Sequence, residues 1–442
     1  MGTLDKVKGL VENPPKEYRS APFWGWNDRL QKENLGEQIE GFKKAGMGGF
    51  FIHSREGLET EYLSTEWMED VKFCVDKARE NDLELWIYDE DKWPSGAAGG
   101  KVSRVNPAEF TARALTMECG KAGELAVPAK LSNEEERTVT GDSDSIMCGG
   151  NRSTDENFMS GRNGSEDLAV EETMETEFLQ GVYVIQTAAD GRFIKRMKEY
   201  LTYEEAAGAC GVDEEILLLR QEISGKSEWY NGLMPPDNLN PESVKTFLKL
   251  THEHYEEVFG GSFPKEVKGF FTDEPNCCDF FSVFHEGRPW IPWSIGFTEY
   301  FIEKRGYDPQ EKLPYLFFDG EGAEKIRHDY WKTVAQRFEE SYMKQVYEWC
   351  DKRGLRTTGH ILYENDLGYQ TRVCGAAMPQ LRYLHNPGID LLGAQTDEYL
   401  TVKQCASVAH QYERSMTISE AYGCTGWELD FSTQKWLGDW QF

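Results

Sequence analysis

Short, wholly apolar runs followed by helical patterns recur along the chain, and this repeated strand-then-helix order leaves few folds open. The runs are Ala21–Trp26, Gly48–His53, Leu83–Tyr88, Val267–Thr272, Leu355–Ile361, Ile389–Leu392 and Thr417–Ser419. They are apolar throughout instead of alternating, as strands covered on both faces are. The helical patterns between them have start signals and a single apolar face. Ser64 is a cap before Trp67, Val71, Cys74, Val75 and Ala78, and Asn240-Pro241 pairs a cap with proline at the first helical position. A longer pattern over Ala323–Lys352 places Ile326, Tyr330, Val334 and Phe338 four residues apart. Seven such units in one direction favour a TIM barrel over an open doubly wound sheet, and no GxGxxG turn follows the first run. The expectation is a (β/α)8 TIM barrel whose eighth strand is missing from this chain, which is therefore either truncated or closed in an unusual way.

The rhythm breaks between Val102 and Asn238. The organisation expected is a first barrel part over 1–101, an inserted β-rich subdomain over 102–239, and a second barrel part over 240–442. Gly181–Thr187 and Glu214–Leu219 read as strands of the insertion, and the polar, acidic stretch 132–177 as loop. The chain carries 48 Lys+Arg against 77 Asp+Glu, a formal charge of −29 over 442 residues. Such a surface disfavours nucleic acid and anionic membranes as partners. No apolar run is long enough to span a bilayer, and the N-terminal stretch has no apolar core of a signal peptide. The ten cysteines form no CxxC pair, and Cys277-Cys278 is adjacent, so free thiols in a reducing cytoplasm are expected. Without a signal peptide, the sequons at Asn151 and Asn163 are taken as chance.

Barrel active sites lie where strands end at their C-terminal side, so the residues just after each run carry the chemistry. Carboxylates and aromatics gather there. Glycosidic cleavage needs two carboxyl groups, one protonated to donate to the leaving oxygen and one ionised to attack or to activate water. Glu274, in the turn TDEP after the fourth run, is the candidate acid, and Glu420, after the seventh, the candidate nucleophile or base. Trp26, Trp93 and Trp427 are candidate platforms for sugar rings. Asp89 and Glu90 are candidate acceptors for sugar hydroxyls, with salt bridges to Lys92 or Arg55 as the alternative. His53 and His360 could contact substrate or orient a carboxylate, and Asn27, Asp273 and Glu364 complete the expected rim. His252 and His254, in HEHYEE, do not form HExxH, so no metal and no cofactor is expected.

Taken together, FWGWND, GGFFIHSREG, WIYDEDKWPSG, FFTDEPN, GHILYEN and SEAYG resemble the catalytic barrel of bacterial glycoside hydrolases related to the α-L-rhamnosidase family. The resemblance covers Pro22–Trp427 without the insertion. It implies a (β/α)8 barrel, breakdown of glycans in the cytoplasm or after export, an oligosaccharide or glycoside as substrate, and catalytic glutamates after the fourth and seventh strands, here Glu274 and Glu420. Relatives usually continue into an eighth strand and accessory β-sandwich domains, and their substrates vary. Glutamates in these positions commonly accompany retention, whereas a rhamnosidase-like barrel points to inversion. Two other readings stand beside it. One is a non-catalytic sugar-binding barrel or a fragment of a larger glycosidase; the other is a metal-dependent hydrolase with Asp89, Asp273 and Glu364 as oxygen ligands. Oligomeric state is left open.

Overall fold

The structure, a computed structural model, describes residues 3–126, 176–277 and 288–441. The acidic stretch is outside these residues except for Thr176 and Glu177, as are both sequons and Cys278; Glu177 opens a strand. The eight described cysteines are all free. No helix among the described residues is long and apolar enough to cross a membrane.

Among the described residues, twelve strands form two sheets. The first is a seven-stranded sheet of β1 (Phe23–Trp26), β2 (Gly49–Ser54), β3 (Glu84–Tyr88), β8 (Val267–Asp273), β10 (Arg356–His360), β11 (Asn386–Leu391) and β12 (Ile418–Ala421), in that order. All neighbours are parallel. The seven apolar runs of the sequence are these seven strands, displaced by no more than a few residues at either end. The sheet curls. In a flat sheet, strands three positions apart lie roughly 14 Å from each other, yet the rings of Phe23 on β1 and Phe271 on β8 are 4.7 Å apart. Ile418 on β12 packs against the same group, formed by Phe51, Trp86, Tyr88 and Phe271. Both ends of the sheet therefore close around one small apolar floor. The order begins at β1 and ends at β12, so among the described residues the two do not pair, and Gly25 on β1 stays exposed.

Helices cover the outer face. Ser64 Oγ accepts from the Trp67 N–H at 3.2 Å to start Thr65–Asn81, and Asn240 caps Pro241–Leu248 through the Glu242 N–H. The long pattern after Ala323 runs on to Asp351 through a π turn at Glu339–Met343, and a second π turn at Lys249–Glu253 continues the Asn240-capped helix. Each π turn shifts the register by one residue, which lets a long helix keep its apolar face on a twisting sheet. His252 lies in one of them, fully buried, with its ring stacked on Phe270 at 4.0 Å.

The insertion builds a five-stranded antiparallel sheet from β4 (Arg113–Gly120), β5 (Glu177–Thr187), β6 (Ile194–Tyr200), β7 (Glu215–Ile223) and β9 (Trp290–Trp293), in the order β6-β5-β7-β4-β9. One of its strands, β9, comes from beyond the fourth parallel strand and pairs with β4. Arg220, 2% exposed, joins the sheet's strands through Glu118 at 2.8 Å and Glu177 at 3.4 Å.

The floor is the test of the curl. Phe271 is fully buried and its ring meets those of Phe23, Phe51 and Tyr88. Phe271→Ala is expected to lower unfolding free energy by about 3–5 kcal/mol in urea titration, well above the cost of truncating a half-exposed aromatic.

Candidate active site

Along each parallel strand, alternate residues face the inside of the curl. On β1 and β2 these are Phe23, Gly25, Phe51 and His53; Gly25 lies opposite His53 in the ladder. On β8, β10, β11 and β12 the inward set ends in Asp273, His360, Asp390 and Glu420, with His360 opposite Asp273 and Asp390 opposite Glu420. The lower inward positions are the apolar floor; the upper ones form a layer of acids around one histidine.

That histidine organises the layer. His360 is 1% exposed, and its Nε2 lies 2.8 Å from Glu420 Oε2 and 3.4 Å from Asp273 Oδ1. Burial alone lowers an imidazole's pKa, but the hydrogen bond to Glu420 and the charges of Asp273, Glu420 and Asp390 outweigh it and raise His360 well above its ordinary value. His360 is thus an imidazolium with Glu420 as its partner. Asp273 is held from the other side by the Tyr88 hydroxyl at 2.6 Å, and burial brings its pKa up to about 6 against the pull of His360.

Glu274 follows directly, with a left-handed backbone (φ 47°). A non-glycine residue in that region costs about 1 kcal/mol or more and is usually found where a site needs it. Asn276 Nδ2 donates to the Glu274 carbonyl at 3.2 Å, and Asn238 Nδ2 to the Asn276 carbonyl at 3.1 Å, so the turn is tied down. Burial first, then the charge of Asp273, pushes the Glu274 carboxyl up to about 8. Glu364 is buried, accepts from the Asp390 N–H at 2.9 Å, and is likewise raised to about 8 by burial. Asp390 is brought up to about 7, again by burial first.

Three expected contacts are corrected. Trp26 is 3% exposed and sits edge-on to Trp67 of the helix Thr65–Asn81 at 5.1 Å, so it packs between sheet and helices and offers no face to a sugar. Its neighbour two residues earlier, Trp24, shares that outward face. Asp89 is fully buried one residue beyond the inward-facing Tyr88, and its Oδ1 accepts the Ser95 hydroxyl at 2.6 Å. Glu90 is 1% exposed and accepts backbone N–H groups from Asp91, Gly96, Ala97, Ala98 and Gly99. It shapes the loop after β3 and has no lone pair left for a substrate. Neither acid pairs with Lys92 or Arg55.

Of the remaining expected residues, His53, Asp273, His360, Glu364, Glu274 and Glu420 belong to the inner layer or border it. Asn27 is exposed after β1, Trp93 is half-buried at the rim, and Trp427 is wholly exposed. Asp390 was not singled out in the sequence. Its signal was there: Ile389 and Leu391 point outward, so an acid between them must point in. Groups close enough to share a cation among the described residues are Asp273, His360 and Glu420, and Glu274, His360 and Asp390. Asp89, Asp273 and Glu364 do not form one.

No protein-family model matches the chain, and no curated protein matches it. Among solved structures, it is similar to the rhamnosidase of Novosphingobium sp. PP1Y, with a TM-score of 0.61 and 15% identity, over 98% of this chain and 55% of that one. The chain thus spans about half the length of that neighbour. At this identity the likeness is one of fold: a curled parallel sheet with helices outside it.

The raised acids make stability depend on pH with a definite sign. Glu274 and Glu364 have ordinary values of 4.5 and folded values of about 8. Between those values the folded chain binds more protons than the unfolded one, so their contribution is complete at low pH and is lost as pH rises through about 8. His360, also raised, contributes in the same direction: fully below its ordinary value of 6.5, and less as pH passes its higher folded value. Stability measured by urea titration is expected to fall from about pH 5 to about pH 8, and Glu274→Gln, which imitates the protonated acid, to stabilise the fold at the upper end by about 2 kcal/mol and flatten the slope.

Proposed function

We propose that the chain is a glycoside hydrolase of the rhamnosidase-like kind, with its curled sheet as seven strands of a (β/α)8 barrel. The observation that carries this reading is one strand-end carboxyl, Glu274, raised to about 8 by burial and its neighbours, beside a second, Glu420, hydrogen-bonded to a buried imidazolium. At neutral pH Glu274 holds its proton. It donates that proton to the glycosidic oxygen as the bond to the anomeric carbon breaks, so the departing alcohol leaves neutral. Glu420 serves the other face of the sugar ring, either removing a proton from the attacking water or attacking the anomeric carbon itself. His360 fixes the direction of the Glu420 carboxylate, and the Tyr88 hydroxyl fixes that of Asp273. A sugar whose identity is set by the rim, with rhamnose the first to try, occupies the space between them.

The roles separate by leaving group. On nitrophenyl glycosides of a sugar panel, Glu420→Gln is expected to lower kcat by about a thousandfold or more regardless of the leaving alcohol. Glu274→Gln is expected to lose much less on an activated dinitrophenyl glycoside than on an alkyl glycoside, because an acidic leaving alcohol needs little proton donation. NMR of the first anomer released tells water activation from direct attack. Parent-like hydrolysis by both variants, on every glycoside the parent cleaves, removes the assignment. Sugar binding by the parent without turnover leaves a carbohydrate-binding barrel in its place.

A further inference from the structure

Beside β2 and β3 the rim opens into a cleft of about 340 Å³ whose walls include Arg55, Lys92, Asp91, Glu61 and Lys101. A smaller cleft continues it inward past His53, Trp93 and Trp229, with Arg55 and Lys92 lining both. The wall's acids are largely committed. Glu61 pairs with Lys101 at 3.1 Å, and Asp91 accepts from Ser54 Oγ at 2.7 Å and Asn231 Nδ2 at 2.9 Å. Arg55 and Lys92 are not. Among the described residues, neither forms an ion pair, although Glu56 also borders the cleft. What sets these two apart is that they line the same two clefts together, and paired cations on a cleft wall focus a positive potential that attracts an anion.

Arg55 is aimed and its stem supported. It lies over Gly25, where even a Cβ would come within 3.1 Å of Arg55 Cγ. Its Nη1 donates to His53 Nε2 at 3.3 Å. His53 can accept because burial and the Arg55 charge push its pKa down to about 3, leaving it neutral. Among the described residues the guanidinium's other N–H groups have no acceptor, and they keep the fork that matches a carboxylate or sulfate. Lys92 is nearby, held by Asn231 Oδ1 at 3.3 Å and over the Trp229 ring at 5.8 Å. Trp93 and Trp229 meet edge-on at 5.5 Å, giving the apolar side of a sugar ring a wall.

Resting on the glycoside hydrolase reading, we propose that Arg55, Lys92, Trp93 and Trp229 form a subsite for an acidic sugar, a uronate or a sulfated ring, so that the substrate class is an acidic glycan. The Arg55 charge also reaches Asp273, which places the subsite next to the reacting layer.

Calorimetry on the whole chain tests it with three ligands: an oligogalacturonide, the same oligosaccharide with its carboxyl groups reduced to alcohols, and a sulfated galactan oligosaccharide. Either or both acidic ligands are expected to bind at least about tenfold more tightly than the reduced one, and Arg55→Gln and Lys92→Gln each to remove about tenfold of that preference. The arm that binds names the anion. Equal binding of acidic and reduced ligands, no binding by any, or a preference that survives both substitutions overturns the subsite. Because binding is read without turnover, a chain that prefers acidic glycans and cleaves none retires the hydrolase reading and keeps this one.

Discussion

The hydrogen bond between His360 and Glu420 is the contact on which the site depends. It spans two strand positions, from β10 past β11 to β12, and its 2.8 Å length requires the sheet to curl. The curl in turn depends on the floor of Phe23, Phe51, Trp86, Tyr88, Phe271 and Ile418, because interlocking rings fill the narrow interior that a flat sheet would leave open. Packing below and charge above are thus one arrangement: the apolar layer sets the radius, and at that radius five carboxyl groups converge on one imidazole.

Five acids cannot all be ionised in so small a space around one imidazolium. The resolution is protonation. Glu274, Glu364 and Asp390 are raised to between about 7 and 8, chiefly by burial, and Asp273 to about 6. This is the condition general acid catalysis at neutral pH requires, and it opposes stability, since each raised acid weakens the fold as it ionises. The left-handed turn at Glu274 adds a further local cost. Free energy lost at the rim is offset by the floor and by the helices covering the outer face.

The parallel strands were legible because their apolar runs are bounded and repeated, and so were the acids that end them. Which way a side chain points was much less so. A strand buried on both faces has no hydrophobic alternation, and FWGW gives no sign that Trp24 and Trp26 face helices while Gly25 faces the interior. The same ambiguity misplaced Asp89. Glu90 was missed as a loop organiser because its partners are backbone amides, which carry no residue type to read. β9 was not foreseen as a strand of the inserted sheet because its partner β4 lies far away in sequence, and pairings of that kind leave no local pattern. Arg55 was seen, but only as a salt-bridge partner; its lack of an acid is a property of the folded rim.

The proposed chemistry turns on Glu274 being protonated at neutral pH within a layer centred on His360. Carbon-13 NMR of carboxyl-labelled glutamate, with Glu274→Gln supplying the assignment, reads that proton directly. The Glu274 carboxyl is expected to titrate near 8 and to move when His360 is replaced by Gln. A carboxyl that titrates at the ordinary glutamate value of 4.5, and does not respond to His360→Gln, contradicts it.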